Sequence, residues 1–365
     1  MANPNAVVSR FVRMAAPAAA GRAPSFELDD GRTLRIDPDS PRAEGFTRVL
    51  AGLAELRRPV YAELDPETNA VSRLLIPHIG RVIELRDVED GLEVQIDNSQ
   101  GRHLLDRDRP DFAEIESALR ESKARRTPII LTSDDAQRVE DARPFRQGPD
   151  DGPVPDFLPH RLNRRPKLFE WIFRWPIWPW CWWRYRCISR TRAQQIFDAM
   201  SATTCNPVAI APPCIPFMYP DDGCWGRAHE MRRLMNNMGI YPRKIWIFGS
   251  LHTPTRNNPN CFVNWAWHVA PTLCVRKGWW FTWWWGQRMV IDPSLFQTPV
   301  TEAQWKSVQG DPAATLMDTD GSIFYWAGNQ TDPTYVQTDQ VLATYRLALQ
   351  NRVNQIGPPP YANCP

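Results

Sequence analysis

The sequence predicts an α+β fold made of two parts, and three observations support this prediction. Segments with the two-residue period of strands and segments with the period of helices both occur along the 365-residue chain. A proline-rich stretch at residues 139–170 interrupts these patterns near the middle. All eight cysteines follow residue 180. The two parts therefore differ in character, and the chain is long enough for two modest domains.

Residues 25–138 are predicted to form the first part, a small α+β domain. Two short strands flank the turn signal at residues 29–31, and apolar residues at helical spacing from Phe46 to Leu56 predict a helix. A second helix is predicted at residues 110–122, and further strands at residues 60–64, 81–85, 92–96 and 129–132. No catalytic constellation is evident here. We interpret His78 and His103, which are isolated in the sequence, as surface or packing side chains.

Residues 1–24 are predicted to be a flexible N-terminus. Arg10, Arg13 and Pro17 interrupt its only apolar stretch, so it does not have the continuous apolar core of a secretory signal peptide. No apolar run in the chain reaches the roughly 18 residues that a transmembrane helix needs.

Residues 139–187 are predicted to link the two parts. The first portion is rich in proline and charge, which favours extended backbone. The second portion, residues 171–187, contains six tryptophans, three arginines and two cysteines. It is compatible with packing over the core of the second part, with lining a cleft, or with contacting a membrane interface. We favour packing and do not expect membrane contact.

Residues 188–365 form the predicted second part. A helix at residues 193–202 precedes an irregular, proline-containing loop that ends at Gly223. The next helix begins at Cys224 and ends at Gly239, where glycine suits the C′ position. Strands are predicted at residues 244–249, 263–275, 279–285 and 288–291, and a last helix at residues 340–349.

Composition and spacing argue against several kinds of partner. Lys plus Arg number 43 against 41 Asp plus Glu, so the net charge of +2 implies no nucleic-acid partner. No two cysteines have the close spacing of a zinc site, and Cys181 and Cys187 are isolated from histidines. Phosphate-binding glycine loops and Gly-x-Ser-x-Gly elements do not occur. We therefore predict neither a metal site nor a cofactor.

Cys224 is the candidate nucleophile. It stands where a loop ending in Asp-Asp-Gly becomes a helix, and a helix N-terminus lowers the pKa of a thiol. The unpaired amides of that first turn can also stabilise an oxyanion. A half-buried structural cysteine is the alternative. His229, five residues along the same helix, points to another face, so we reject it as the base and interpret it as a helix-surface or packing histidine.

His268 and Asp292 complete the candidate triad. His268 lies in the predicted strand NWAWHVAPTL, and Asp292 closes the apolar strand RMVID. A helix cysteine, a strand histidine and an acid from the next strand can form a catalytic triad. Taken alone, Asp292 before Pro293 is also a common turn aspartate.

The remaining seven cysteines can form at most three disulfides, or they can be buried thiols. Cys205 and Cys214 flank a short proline-rich loop and are the best candidate pair. The other pairings stay open.

Three blocks of sequence closely resemble bacterial protein-glutaminases and occur in the same order: CNPVAIAPPCIPFMYPDDGCWGRAHEM, NWAWHVAP and MVIDPSLF. The resemblance spans roughly residues 190–345 and implies a core related to those of transglutaminases and papain-like proteases. It places the family's nucleophile on Cys224, its histidine on His268 and its aspartate on Asp292.

The resemblance also implies an activity, the hydrolytic deamidation of glutamine side chains in proteins or peptides through a thioester. Trp225, Trp265 and Trp267 are close to the nucleophile or the base in sequence and are candidate walls of the glutamine slot, with core packing as the alternative. Members of the family often carry an N-terminal pro-region that blocks the cleft. Residues 1–170 therefore either cover the active site or recognise a partner.

Other activities use the same three residues. A transglutaminase transfers the acyl group to an amine, a cysteine peptidase cleaves the backbone, and a bacterial effector would deamidate a host protein. We favour deamidation. We also favour an extracellular location or delivery as an effector, with a cytoplasmic location as the alternative.

Overall fold

The computed structural model describes residues 6–16, 25–147, 187–277 and 286–365. The predictions for residues 171–186 and for a strand at residues 279–285 lie outside these ranges. The elements of the N-terminal part are β1 (Ala6–Ala16), β2 (Ser25–Leu28), β3 (Thr33–Arg35), α1 (Ala43–Glu55), β4 (Pro59–Leu64), β5 (Val71–Leu75), β6 (His78–Gly80), β7 (Val82–Val88), β8 (Gly91–Ile96), β9 (His103–Asp106), α2 (Phe112–Arg125), β10 (Ile129–Ser133) and β11 (Val139–Pro144).

The N-terminal part is built from three antiparallel sheets. Their strand orders are β3-β2-β1-β4-β5, β7-β8-β9 and β11-β10-β6. The apolar residues at helical spacing in α1, Phe46, Val49, Leu50 and Leu53, are buried against the first sheet, as their period predicts. The second helix, α2, packs Ile115 and Leu119 over a separate core.

Two segments differ from the sequence prediction. Residues 6–16, assigned above to a flexible N-terminus, form β1 in the middle of the first sheet, with Val7 in its core. Residues 139–144, assigned to the linker, form β11 and bury Val139 and Ala142. Both segments contain charged as well as apolar residues, which a strand tolerates because only one of its faces needs to be apolar.

The C-terminal part contains α3 (Arg190–Ser201), α4 (Cys224–Asn237), β12 (Arg243–Pro254), β13 (Phe262–Arg276), β14 (Gly286–Val290), β15 (Val300–Thr301), α5 (Glu302–Ser307), β16 (Thr315–Thr319), β17 (Ile323–Tyr325), β18 (Gln330–Thr331) and α6 (Val336–Ile356). Its main sheet has the order β15-β14-β13-β12-β16 and is antiparallel. Helix α4 packs on β13, the long central strand. The predicted α+β fold class is confirmed.

Helix α4 begins and ends at the predicted residues. Gly223 precedes it with a φ of 80°, a left-handed conformation that glycine adopts without strain. A Cβ at this position would lie 2.3 Å from the ring of Tyr345 on α6. Gly239 follows the helix with a φ of 74°, as expected for C′.

Three disulfides crosslink the C-terminal part. The predicted pair Cys205–Cys214 is confirmed, and Cys187–Cys274 and Cys261–Cys364 are the other two. Cys224 is the free cysteine of the described ranges.

The two parts contact each other through α1 and α6. The amide of Asn351 on α6 donates to the carbonyl of Leu74 at 2.8 Å, and Gln355 donates to the same oxygen at 2.9 Å. Leu347 packs against the core beneath α1. None of the six described helices combines the length and apolar character that a bilayer crossing requires.

Candidate active site

Cys224 lies at the first position of α4 and is almost fully buried, with 1% of its surface exposed. It belongs to the core cluster that contains Trp225, Trp267 and Val269. The backbone N–H of Val269, which follows His268 on β13, bonds to the thiol of Cys224, so the cysteine lies against the strand that carries the predicted base.

His268 and Asp292 form a buried pair. Nε2 of His268 lies 2.9 Å from Oδ2 of Asp292. Trp305 Nε1 donates to the same carboxylate at 2.9 Å, and Ser294 donates through its backbone N–H at 3.2 Å and through its hydroxyl. Burial by itself would raise the pKa of Asp292, but the charge of His268 and these hydrogen bonds lower it below its ordinary value. Asp292 is therefore an ionised, oriented acceptor.

The imidazole of His268 is held between two indoles. The ring of Trp265 is stacked on it with centroids 4.5 Å apart, and the ring of Trp305 lies at 5.5 Å. Since Nε2 is engaged by Asp292, Nδ1 is the remaining nitrogen, and it has no hydrogen-bond partner within the described parts of the chain. Nδ1 is thus the atom available to take or give a proton.

The thiol of Cys224 differs from the sequence expectation in one respect. A helix N-terminus lowers the pKa of a thiol, yet burial raises the pKa of Cys224 well above its usual value, although Arg227 opposes this effect. The cysteine is buried mainly among aromatic residues of the C-terminal part, such as Trp225, Trp267 and Tyr345, and Ile76 of the N-terminal part packs against the same cluster.

Gln100 of the N-terminal part contacts Cys224 directly. Its side-chain Oε1 accepts a hydrogen bond from the backbone N–H of Cys224 at 2.9 Å. Its backbone N–H donates to Asp222 Oδ1 at 3.1 Å, and the neighbouring Ser99 hydroxyl also donates to Asp222. The N-terminal part therefore reaches the nucleophile itself.

Two histidines surround this contact. His78 Nδ1 lies 3.7 Å from Asp222, and the rings of His78 and His103 are 5.5 Å apart. Burial lowers the pKa of His78, and it lowers the pKa of His103 to about 3. Both are packing histidines, as the sequence suggested, but they meet at the boundary between the two parts.

A second polar contact crosses the same boundary. Arg352 on α6 binds both carboxylate oxygens of Asp221 at 2.7 and 2.8 Å, and it binds Asp135 of the N-terminal part at 2.6 Å. Its guanidinium lies over the ring of Tyr219 at 4.2 Å. Asp221 and Asp222, which precede the nucleophile, thus both anchor the N-terminal part.

The three tryptophans considered as slot walls are all buried. Trp265 supports His268 and donates through Nε1 to the carbonyl of Asp221 at 3.1 Å. Trp225 and Trp267 pack against each other with ring centroids 5.6 Å apart. Trp267 also lines a cavity of about 410 Å³ between the two parts. Trp265 therefore has a supporting role, and a role of Trp267 as a slot wall stays a prediction.

His229 is a packing histidine in the interior rather than on the helix surface. Its Nδ1 lies 2.8 Å from the ammonium of Lys244, and its Nε2 lies 3.2 Å from the carbonyl of Asp332. Burial lowers the pKa of His229 to about 2. Its ring faces these partners rather than Cys224.

Sequence reasoning missed several residues of the site. Ser294 had a signal, because a serine two residues after an aspartate commonly bonds to it in a turn. Trp305 and Gln100 had none, since their contacts with Asp292 and Cys224 depend on long-range packing.

Comparison with known proteins agrees with this architecture. A sequence model of a family described as glutaminase matches residues 193–309. The crystal structure of a pro-protein-glutaminase is similar over 80% of this chain and 99% of its own, with 18% identity and a TM-score of 0.51. The structure of protein-glutaminase from Chryseobacterium proteolyticum matches 49% of this chain and 94% of its own, with 24% identity and a TM-score of 0.38. No curated protein matches the chain.

Proposed function

We propose that the chain deamidates glutamine side chains in proteins, with Cys224, His268 and Asp292 as its catalytic residues, because a glutaminase family model matches residues 193–309. The observation that carries this proposal is the buried His268–Asp292 pair, whose histidine lies on the strand against which the helix that begins at Cys224 packs. The similar fold of a pro-protein-glutaminase supports it.

In the proposed reaction, His268 Nδ1 takes the proton of Cys224, and the thiolate attacks the side-chain amide carbon of the substrate. The backbone N–H of Cys224 donates to the oxyanion that develops. His268 then protonates the departing ammonia, which leaves a thioester. Water activated by His268 hydrolyses the thioester to glutamate, while Asp292 orients the imidazole and stabilises its cation.

The N-terminal part, in our proposal, keeps external substrates out. Gln100 occupies the N–H of Cys224 that a substrate carbonyl would need. Asp222 accepts from Gln100, and Arg352 binds Asp135, so both hold the N-terminal part in place. Activity on other proteins therefore requires that this part be displaced.

The test uses the full chain with a site-specific protease sequence inserted between residues 147 and 187. Dilution of the cleaved chain releases a noncovalently bound fragment by mass action. We expect the cleaved and diluted chain to release ammonia from a glutamine-containing protein and to incorporate no added primary amine. The cleaved Cys224→Ala variant should release no ammonia. Amine incorporation would favour a transglutaminase, and full activity in the Cys224→Ala variant would refute the mechanism. Equal activity before and after cleavage would refute the covering role.

A further inference from the structure

The amide group of Gln100 has a defined orientation at the nucleophile. Gln100 is fully buried, its Oε1 accepts from the N–H of Cys224 at 2.9 Å, and its Nε2 donates to the carbonyl of Pro220 at 3.4 Å. A flipped amide would place its NH₂ group against the N–H of Cys224 and its oxygen against the carbonyl oxygen of Pro220, and neither pair can form a hydrogen bond. The oxygen therefore occupies the position where an oxyanion would form, and the amide carbon is one bond away.

The backbone around Gln100 is presented in the manner of a bound peptide. The carbonyl of Gln100 accepts from Ala266 N–H at 2.8 Å, Arg102 N–H donates to the carbonyl of Asn264 at 3.0 Å, and Gly101 pairs antiparallel with Trp265. The segment thus adds a short strand to β13, a frequent way of binding extended peptides. The strand with which the segment pairs, β13, also carries His268.

We propose that Gln100 is an internal substrate, and that Cys224 deamidates it once in each chain. This inference rests on the proposed function. The Cys224 sulfur forms a bond to the side-chain carbonyl carbon of Gln100, the bond from that carbon to Nε2 breaks, and ammonia leaves with a proton from His268. Water then cleaves the thioester, which restores the thiol and leaves a glutamate at position 100. His268 takes the thiol proton before the sulfur attacks and passes it to the departing nitrogen, and one turnover in each chain suffices.

The product has a consequence for the cover. A carboxylate in place of the amide would lie in a buried site close to Asp222, which already accepts from the backbone N–H of Gln100 at 3.1 Å. Burial already raises the pKa of Asp222, and a second carboxylate is disfavoured both by burial and by repulsion. Deamidation of Gln100 therefore weakens the docking of the N-terminal part.

Peptide mapping of the full, uncleaved chain by mass spectrometry tests the inference. We expect the peptide with residue 100 to be about 1 Da heavier after hydrolysis, or to be joined to the peptide with Cys224 at about 17 Da below their combined mass while the thioester persists. The same peptide from the Cys224→Ala variant, purified and stored identically, should keep the unmodified mass. Gln137 is an internal control, because it is also buried at this boundary but bonds to Asn264 rather than Cys224. It should remain unmodified in both proteins.

The cleaved chain is assayed in parallel on an external protein. This assay distinguishes failure of the inference about Gln100 from failure of the proposed function. An unmodified Gln100 in a preparation that deamidates the external protein would overturn this inference and leave the proposed function standing. An unmodified Gln100 together with no external activity would overturn both. Modification at position 100 in the Cys224→Ala variant would show a spontaneous reaction and would also refute the inference.

Two variants test whether a carboxylate at position 100 weakens the docking of the N-terminal part, independently of the deamidation reaction. Gln100→Glu introduces the product directly, and Gln100→Met removes the amide while keeping a similar length. We expect cleaved Gln100→Glu to lose its N-terminal fragment at a higher protein concentration than cleaved Gln100→Met. Equal dissociation of the two variants would contradict the predicted weakening of the docking.

Discussion

Oδ2 of Asp292 lies 2.9 Å from Nε2 of His268, and both side chains are buried. This contact assigns Nε2 to the carboxylate and leaves Nδ1 for proton transfer. The carboxylate is in turn held by Ser294 and Trp305, so its position is fixed from three sides. The orientation of the base therefore depends on a network rather than on one hydrogen bond.

Replacing Asp292 by Asn should lower kcat of the cleaved chain by about 10²- to 10⁴-fold, because the imidazole loses its preferred tautomer and the charge that stabilises its cation. KM should change little. Ser294→Ala is the matched control: it removes the hydroxyl donor to the same carboxylate, keeps the backbone N–H donor, and should cost about tenfold, the equivalent of one hydrogen bond to a charged group. Ammonia release from a protein substrate measures both. Equal losses in the two variants would argue against an orienting role for Asp292.

Arg352 is expected to be a major determinant of stability. Its buried guanidinium satisfies Asp221 and Asp135, so Arg352→Met leaves two carboxylates unpaired and should reduce the free energy of unfolding by about 3–5 kcal/mol. Arg125→Ala is the control, because its pair with Glu121 is exposed at 72% and 50% and should contribute less than about 1 kcal/mol. Denaturant titration measures both changes. Similar values for the two variants would show that the buried network contributes little.

Much of the C-terminal part could be predicted from local sequence. The start of α4 at Cys224 follows from a glycine before an amphipathic run, and β13 follows from a long apolar and aromatic segment. Local periodicity does not show which residues of distant elements meet. The contact between Gln100 and Cys224 joins residues 124 positions apart and could not be predicted.

The two errors in the N-terminal part have a common cause. Residues 6–16 and 139–144 contain charges or prolines, which predict irregular structure. Each forms a strand because neighbouring strands supply its backbone hydrogen-bond partners. The thiol of Cys224 illustrates a similar limit. Its position at a helix predicts a lowered pKa, and burial among residues from several distant elements reverses the sign.

The disulfides should stabilise the fold according to the length of chain that each closes. Cys261–Cys364 spans 103 residues and Cys205–Cys214 spans 9. On loop-entropy grounds, Cys261→Ser with Cys364→Ser should destabilise the protein by about 2 kcal/mol more than Cys205→Ser with Cys214→Ser. Unfolding midpoints of the two double variants measure this difference. A larger loss from the short loop would contradict the entropic argument.

Acid should weaken the docking of the N-terminal part. His103, whose pKa burial lowers to about 3, is neutral in the docked state, and burial lowers the pKa of His78 as well, with Asp222 opposing and Arg58 reinforcing the effect. A histidine whose pKa is lowered by docking contributes full stability above about pH 6.5 and loses roughly 1.4 kcal/mol per pH unit below it. Asp222 acts in the opposite direction, because burial raises its pKa and its protonation relieves that cost.

The variant His103→Gln isolates the contribution of one histidine. It removes one group that takes up a proton on undocking, so dissociation of the cleaved chain should depend less steeply on pH between about 6.5 and 5 than in the unchanged protein. Fragment release, followed by size-exclusion chromatography across this range, measures the slope. Parallel curves for the two proteins would exclude His103 as a source of the pH dependence.

The reactivity of Cys224 should report directly on the cover. Since burial raises the thiol pKa, the uncleaved chain should react with iodoacetamide only at strongly alkaline pH, whereas the cleaved and diluted chain should react near neutrality, where the helix N-terminus and His268 favour the thiolate. A Cys181→Ser background keeps the readout on one thiol, because Cys181 lies outside the described residues and the other cysteines are in disulfides. His268→Ala in the cleaved chain should shift the reaction back toward higher pH. Identical pH profiles before and after cleavage would mean that the N-terminal part does not determine the protonation state of the nucleophile.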